Sequence, residues 1–142
     1  MTKQSKLSAD LINAYELTNF HVNTVPTFIM NVNKASEELK LLFKQNRVDG
    51  AAFITAWNPY GESLSIEVNK ARNDQLKSEL NLRSLKSIEG FGQDPLGQWA
   101  GEDSFLVLGI SLEASKKVGV QFEQNAIVWA DKDAVPQLVL LR

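Results

Sequence analysis

Ala51-Ala52-Phe53-Ile54-Thr55-Ala56-Trp57 is apolar on both of its alternating faces, and Asn58-Pro59-Tyr60-Gly61 stops it at once. Successive strand side chains point to opposite sides, so a run with no polar face predicts a central strand covered on both sides, not an edge. Downstream, the pattern predicts a long helix over 63–80, a poorly alternating strand over 82–88, a buried strand over 105–110 and a helix over 112–122. Strands over 126–129 and 137–141 complete that side. Upstream, Ser36 is placed to cap a helix that runs to about Asn46, with Glu37 and Glu38 in its favourable first turn. Before it, strands over 17–22 and 27–32 flank the turn residues Asn23-Thr24-Val25-Pro26 and read as an antiparallel hairpin. A first helix covers 8–16. Hairpins mixed with helical crossovers predict an α+β fold, a mixed, partly antiparallel sheet with three to four helices packed on it.

The chain has 142 residues, the usual size of one domain, so a single domain over 1–142 is expected, with 1–7 as a flexible tail. Its 44% hydrophobic and 23% charged residues are ordinary globular usage, which excludes the disordered class. Lys plus Arg number 15 against 17 Asp plus Glu, interspersed, so no basic stripe offers itself to duplex nucleic acid. The absence of cysteine removes disulfides, thiolate nucleophiles and cysteine-based metal sites. No apolar run reaches the ~20 residues that span a bilayer, and the start lacks a signal-peptide pattern. A cytoplasmic protein with no membrane partner, no cofactor and no metal is the expectation.

Thr55-Ala56-Trp57-Asn58-Pro59, then Asn69, Trp99 and Glu102 ahead of Ser104-Phe105-Leu106-Val107, and Gln124-Asn125 before a strand, form an ordered set. Together they resemble the bacterial domain of unknown function 3293 family, over about Tyr15 to Leu140. The resemblance implies a bacterial one-domain protein and transfers no catalytic role.

Polar and aromatic residues concentrate between Thr55 and Glu102. On the 63–80 helix, with Val68 as reference, Arg72 falls at about 40° and Asn69 at about 100°, between Leu64 at about −40° and Leu80 at about 120°. Both polar residues thus sit inside the apolar stripe and require partners. Those expected are Glu102 or Asp103 for Arg72 and the Asn58 side chain or carbonyl for Asn69; alternatively Arg72 lays its stem on the core and reaches water. Asn58 either lines a site at the end of the central strand or forms a turn with its own backbone. The glycine-rich segment 90–101 is long enough for a binding loop. It lacks both nucleotide fingerprints. Trp99 in it either stacks on a ligand or caps the core. Glu102 and Asp103 point to opposite faces if they lie in a strand. His21, the only histidine, has no acidic residue at local ligand spacing and reads as an ordinary strand residue.

The ligand-binding candidates are therefore Thr55, Trp57, Asn58, Asn69, Arg72, Trp99, Glu102 and Asn125. The leading expectation is a module that binds a small polar or nucleotide-like ligand. A hydrolase or transferase-type enzyme using Glu102 and Arg72 is the second, and a protein-protein interaction module acting through the edge of the N-terminal hairpin is the third. The enzyme class requires Glu102 in a cleft with its pKa displaced toward neutrality.

Overall fold

The structure is a computed structural model and describes residues 5–97 and 101–142. The element order is α1 (Ala9–Leu17), β1 (Asn19–Val22), β2 (Phe28–Met30), α2 (Glu37–Asn46), β3 (Ala51–Ile54), α3 (Ile66–Leu82), β4 (Lys86–Gln93), β5 (Glu102–Leu108), α4 (Leu112–Gln121), β6 (Ala126–Ala130) and β7 (Pro136–Leu140). Serine caps each of the four α-helices. The hydroxyls of Ser8, Ser36, Ser65 and Ser111 accept from the N–H groups of Leu11, Leu39, Val68 and Ala114, pairing first-turn donors that have no partner inside the helix.

The seven strands form one curled sheet, a half-barrel, in the order β2-β1-β4-β5-β3-β6-β7. The α+β class is as expected. The parallel pairs that a mixed sheet implies are absent, because every pairing among the described residues is antiparallel. The reason lies in the crossovers. The β3-α3-β4 connection leaves room for β5 between its strands, and β5-α4-β6 leaves room for β3, so strands running the same way are never neighbours. Two interlocked crossovers of this kind make a βαββαβ unit of the split, ferredoxin-like type. The hairpin β1-β2 extends it on one side and β7 on the other.

β3 is central and fully buried, as its sequence predicts. Its pleat separates two cores. Ala52 and Ile54 pack with Leu76, Leu80, Val118 and Phe122 of the α3-α4 layer. Ala51 and Phe53 face the other side, with Phe20, Val22, Leu39, Phe43, Leu106 and Val128.

Several boundaries differ from the sequence expectation: β2 covers only 28–30, β3 stops at Ile54 and not at Trp57, and α3 runs from Ile66 to Leu82, past the expected start of the next strand. β4 continues through Gly90, Phe91 and Gly92, which the glycines made look like loop; Gly90 is required there, since a Cβ would stand 2.1 Å from the His21 carbonyl oxygen of the neighbouring strand. β5 begins at Glu102, three residues early, in register with Gly92.

Candidate functional site

Where β3 ends, the chain stays inside the molecule without entering a sheet, and its backbone polar groups need partners there. Side chains supply them. Asn73 Oδ1 accepts from the Ala56 N–H at 2.9 Å, and Arg72 Nε donates to the Ala56 carbonyl at 2.7 Å. Thr55 Oγ1 accepts from the Trp57 N–H at 3.0 Å, and Gln124 Nε2 donates to the Trp57 carbonyl at 3.2 Å. Asn69 Oδ1 accepts from the Asn58 N–H at 2.8 Å, while Asn69 Nδ2 donates to Asn58 Oδ1 at 2.7 Å. Asn58 is thereby held at φ 45°, a left-handed conformation that asparagine tolerates better than most residues.

The Asn58 carboxamide oxygen also accepts from the Leu64 N–H, so its nitrogen is the end free to turn elsewhere. It is the hydrogen-bond partner of the Glu102 carboxyl. Both residues line a cavity of about 90 Å³ on the Phe53 side of the sheet. Phe20, Phe53, Val128 and Leu138 supply apolar walls, and the polar side chains around them are Tyr15, Thr18, Thr55, Ser104, Gln124 and Asn125. Phe20 and Phe53 meet edge to face, with ring centroids 5.1 Å apart. Asn125 Nδ2 donates to the Tyr15 hydroxyl at 3.2 Å, and Arg142 Nη1 donates to Asn125 Oδ1 at 3.1 Å, its guanidinium lying over the Tyr60 ring.

Burial pushes the Glu102 carboxyl up to about 7, opposed only in part by the Asn58 hydrogen bond. No lysine, arginine or histidine of the described residues forms an ion pair with it. The Tyr15 phenol is also raised, first by burial and then by the charge of Glu102. Glu102 and Asp103 do point to opposite faces. Asp103 belongs to a second, wider cleft of about 300 Å³ with Trp57, Asn73, Glu89 and Phe91. Among the described residues no group of three His, Asp or Glu side chains is placed to hold a metal ion.

Of the residues expected to bind ligand, Thr55, Asn58, Glu102 and Asn125 come together on the first cavity, and Trp57 lies apart on the second cleft. Asn69 and Arg72 line neither. Asn69 has the partner expected of it. Arg72 does not: instead of Glu102 or Asp103 it takes two main-chain carbonyls, those of Ala56 and Phe122, and a 3.5 Å ion pair with Glu123. The burial stripe of α3 runs through Asn69, Asn73, Leu76 and Leu80, and Val68, used as its reference, is 48% exposed. Trp99 lies outside the described residues. Sequence reasoning missed Tyr15, Thr18 and Phe20, which reach the cavity from the first helix and strand with no local signal to connect them with Glu102. Gln124, whose amide suits polar recognition but equally ends a helix before a strand, was not among the expected ligand-binding residues and also lines the cavity.

No curated protein and no solved structure matches the chain. The family described as "Protein of unknown function (DUF3293)" matches residues 54–127, just over half of the chain and nearly the whole β3-to-β6 unit. The chain belongs to that family.

Proposed function

We propose that this member of the DUF3293 family is a binding protein for a small polar ligand, and that its site is the cavity around Glu102. The observation that carries this reading is the placement of a carboxyl group, with no counter-charge among the described residues, inside a concave cavity with aromatic walls and several polar side chains. Apolar walls with a few convergent polar groups are the usual make-up of small-molecule sites. A purely structural role accounts poorly for Glu102, since an amide or apolar side chain there avoids the cost of burying a charge. It accounts well for Asn69, Arg72 and Asn73, whose hydrogen bonds all hold the segment that carries Asn58. In this reading Arg72 is not part of the site.

A second reading has its own support. A carboxyl that titrates near 7 is matched to proton transfer at neutral pH, so Glu102 is suited to act as general acid or base on whatever the cavity holds. Binding is common to both readings and is tested first.

A thermal-shift screen against small polar compounds at millimolar concentration tests it, because a ligand that binds only the folded state raises the melting temperature. Gly92→Ala is the control. Its added methyl meets Thr18 and Phe20 at 3.5 and 3.7 Å, ordinary contact, and takes up room in the cavity. A compound that shifts wild type and loses its effect in Gly92→Ala supports the reading. If every shift persists in Gly92→Ala and Glu102→Gln, the site is elsewhere.

A further inference from the structure

The hydrogen-bonding capacity left open in the cavity is one-sided. Carbonyl oxygens only accept, so a hydroxyl that contacts one has its proton committed to it. Thr18 Oγ1 donates to the Ala14 carbonyl at 2.8 Å, Thr55 Oγ1 to the Asp103 carbonyl at 2.6 Å and Ser104 Oγ to the Glu102 carbonyl at 2.9 Å. All three residues line the cavity, and with their protons so committed their hydroxyl oxygens can only accept from a ligand, Thr55 Oγ1 with one lone pair already taken by the Trp57 N–H. Gln124, only 7% exposed, donates through Nε2 to the carbonyls of Trp57 and Phe122. Turning its amide over would set an oxygen against two acceptors, so the orientation is fixed. Its Oε1 has no hydrogen-bond partner among the described residues, yet it is not sealed off from solvent. The donors that remain are Asn58 Nδ2, the Tyr15 hydroxyl and the second N–H of Asn125 Nδ2, fewer than the acceptors; Asn58 and Tyr15 stand near Glu102, itself an acceptor when ionised. An anion entering here would meet a carboxyl and a wall of lone pairs.

We propose that the cavity takes the head group of a small organic cation rich in N–H donors, a guanidinium or amidinium group, with Glu102 as its counter-ion and Gln124 Oε1, Thr18, Thr55 and Ser104 as available acceptors. The proposal rests on the assignment of the cavity as the binding site. A planar cation pairs with a carboxylate through two parallel N–H bonds, and the rings of Phe20 and Phe53 offer it an aromatic surface. A volume of about 90 Å³ admits a group of that size.

Isothermal titration of the whole chain with methylguanidinium and acetamidinium, against N-methylurea and acetate, is the test. Methylguanidinium is expected to bind wild type at least about tenfold more tightly than N-methylurea. Its affinity should rise roughly tenfold per pH unit up to about 7 and then level, as the cation displaces the Glu102 proton. Glu102→Gln, which keeps the side-chain shape, is expected to lose the preference for the cation over the urea. Equal binding of the urea and the cation, preference for acetate, or an unchanged preference in Glu102→Gln overturns the cation assignment while leaving the cavity as a site. Cation binding that is undiminished in Gly92→Ala places the cation elsewhere and overturns the assignment as well. If none of the four probes binds while other compounds from the screen bind and respond to Gly92→Ala, the cation assignment alone falls; if nothing does, both fall.

Discussion

Asn58 and Asn69 hold each other reciprocally: the Asn58 N–H donates to Asn69 Oδ1 at 2.8 Å while Asn69 Nδ2 donates to Asn58 Oδ1 at 2.7 Å. Asn69 is 1% exposed, so neither bond has water as a ready substitute. Asn69→Leu preserves the volume and leaves the Asn58 N–H without a partner, at an expected cost of about 2–4 kcal/mol in urea unfolding. Because Asn58 carries the amide that faces Glu102, the same variant is expected to weaken ligand response below its melting temperature as well.

Arg72 acts on the same segment without reaching the cavity. Arg72→Met removes the charged donors to the Ala56 and Phe122 carbonyls and is expected to destabilise by about 2–4 kcal/mol, visible as a lower urea midpoint. Glu123→Gln breaks only a half-exposed 3.5 Å ion pair and should cost less than about 1 kcal/mol. Any compound that stabilises wild type should still stabilise Arg72→Met by a similar increment. A selective loss of that response would put Arg72 back into the site.

These residues also show what the sequence could disclose. Caps and apolar runs are local, so Ser36 and the apolar run from Ala51 mark their elements without help from the fold, although the strand ends at Ile54 and not at Trp57. The α3 stripe was misplaced because hydrophobic residues were taken to define the buried side. Its first half is in fact buried through amides that serve an irregular stretch of backbone, a need that exists only once β3, α3 and α4 are packed. The cavity was half legible: Thr55, Asn58 and Glu102 lie within one polar and aromatic stretch of the chain and Asn125 follows before a later strand, whereas Tyr15 and Phe20 join them only through the fold of the sheet.

The two glycines of β4 should behave oppositely despite standing two residues apart. A Cβ at Gly90 would meet the His21 carbonyl oxygen at 2.1 Å and its carbon at 3.2 Å, both backbone atoms, so the β1-β4 pairing must open. Gly90→Ala is expected to cost at least about 2 kcal/mol, measured by urea unfolding. Gly92→Ala meets only side chains at ordinary distance and should stay within about 1 kcal/mol of wild type.

Glu102 makes the stability depend on pH in a direction opposite to that of most paired carboxylates. Its pKa is about 7 when folded against 4.5 for a free side chain, so between those values the folded state binds the extra proton. Stability from this group is then complete below about 4.5 and falls as pH rises to about 7, by roughly 3 kcal/mol at most. The carboxyl is partly exposed, which makes that figure a ceiling. Glu102→Gln removes the charge and keeps the shape, so it should be more stable than wild type at pH 8 and nearly equal to it at pH 4.5 in urea unfolding. His21, whose pKa burial lowers, contributes the opposite slope, but it is present in both proteins and cancels in their difference. A difference between the two that is flat from pH 4.5 to 8 would mean that Glu102 titrates as a surface carboxylate, and would remove the acid–base reading of the cavity.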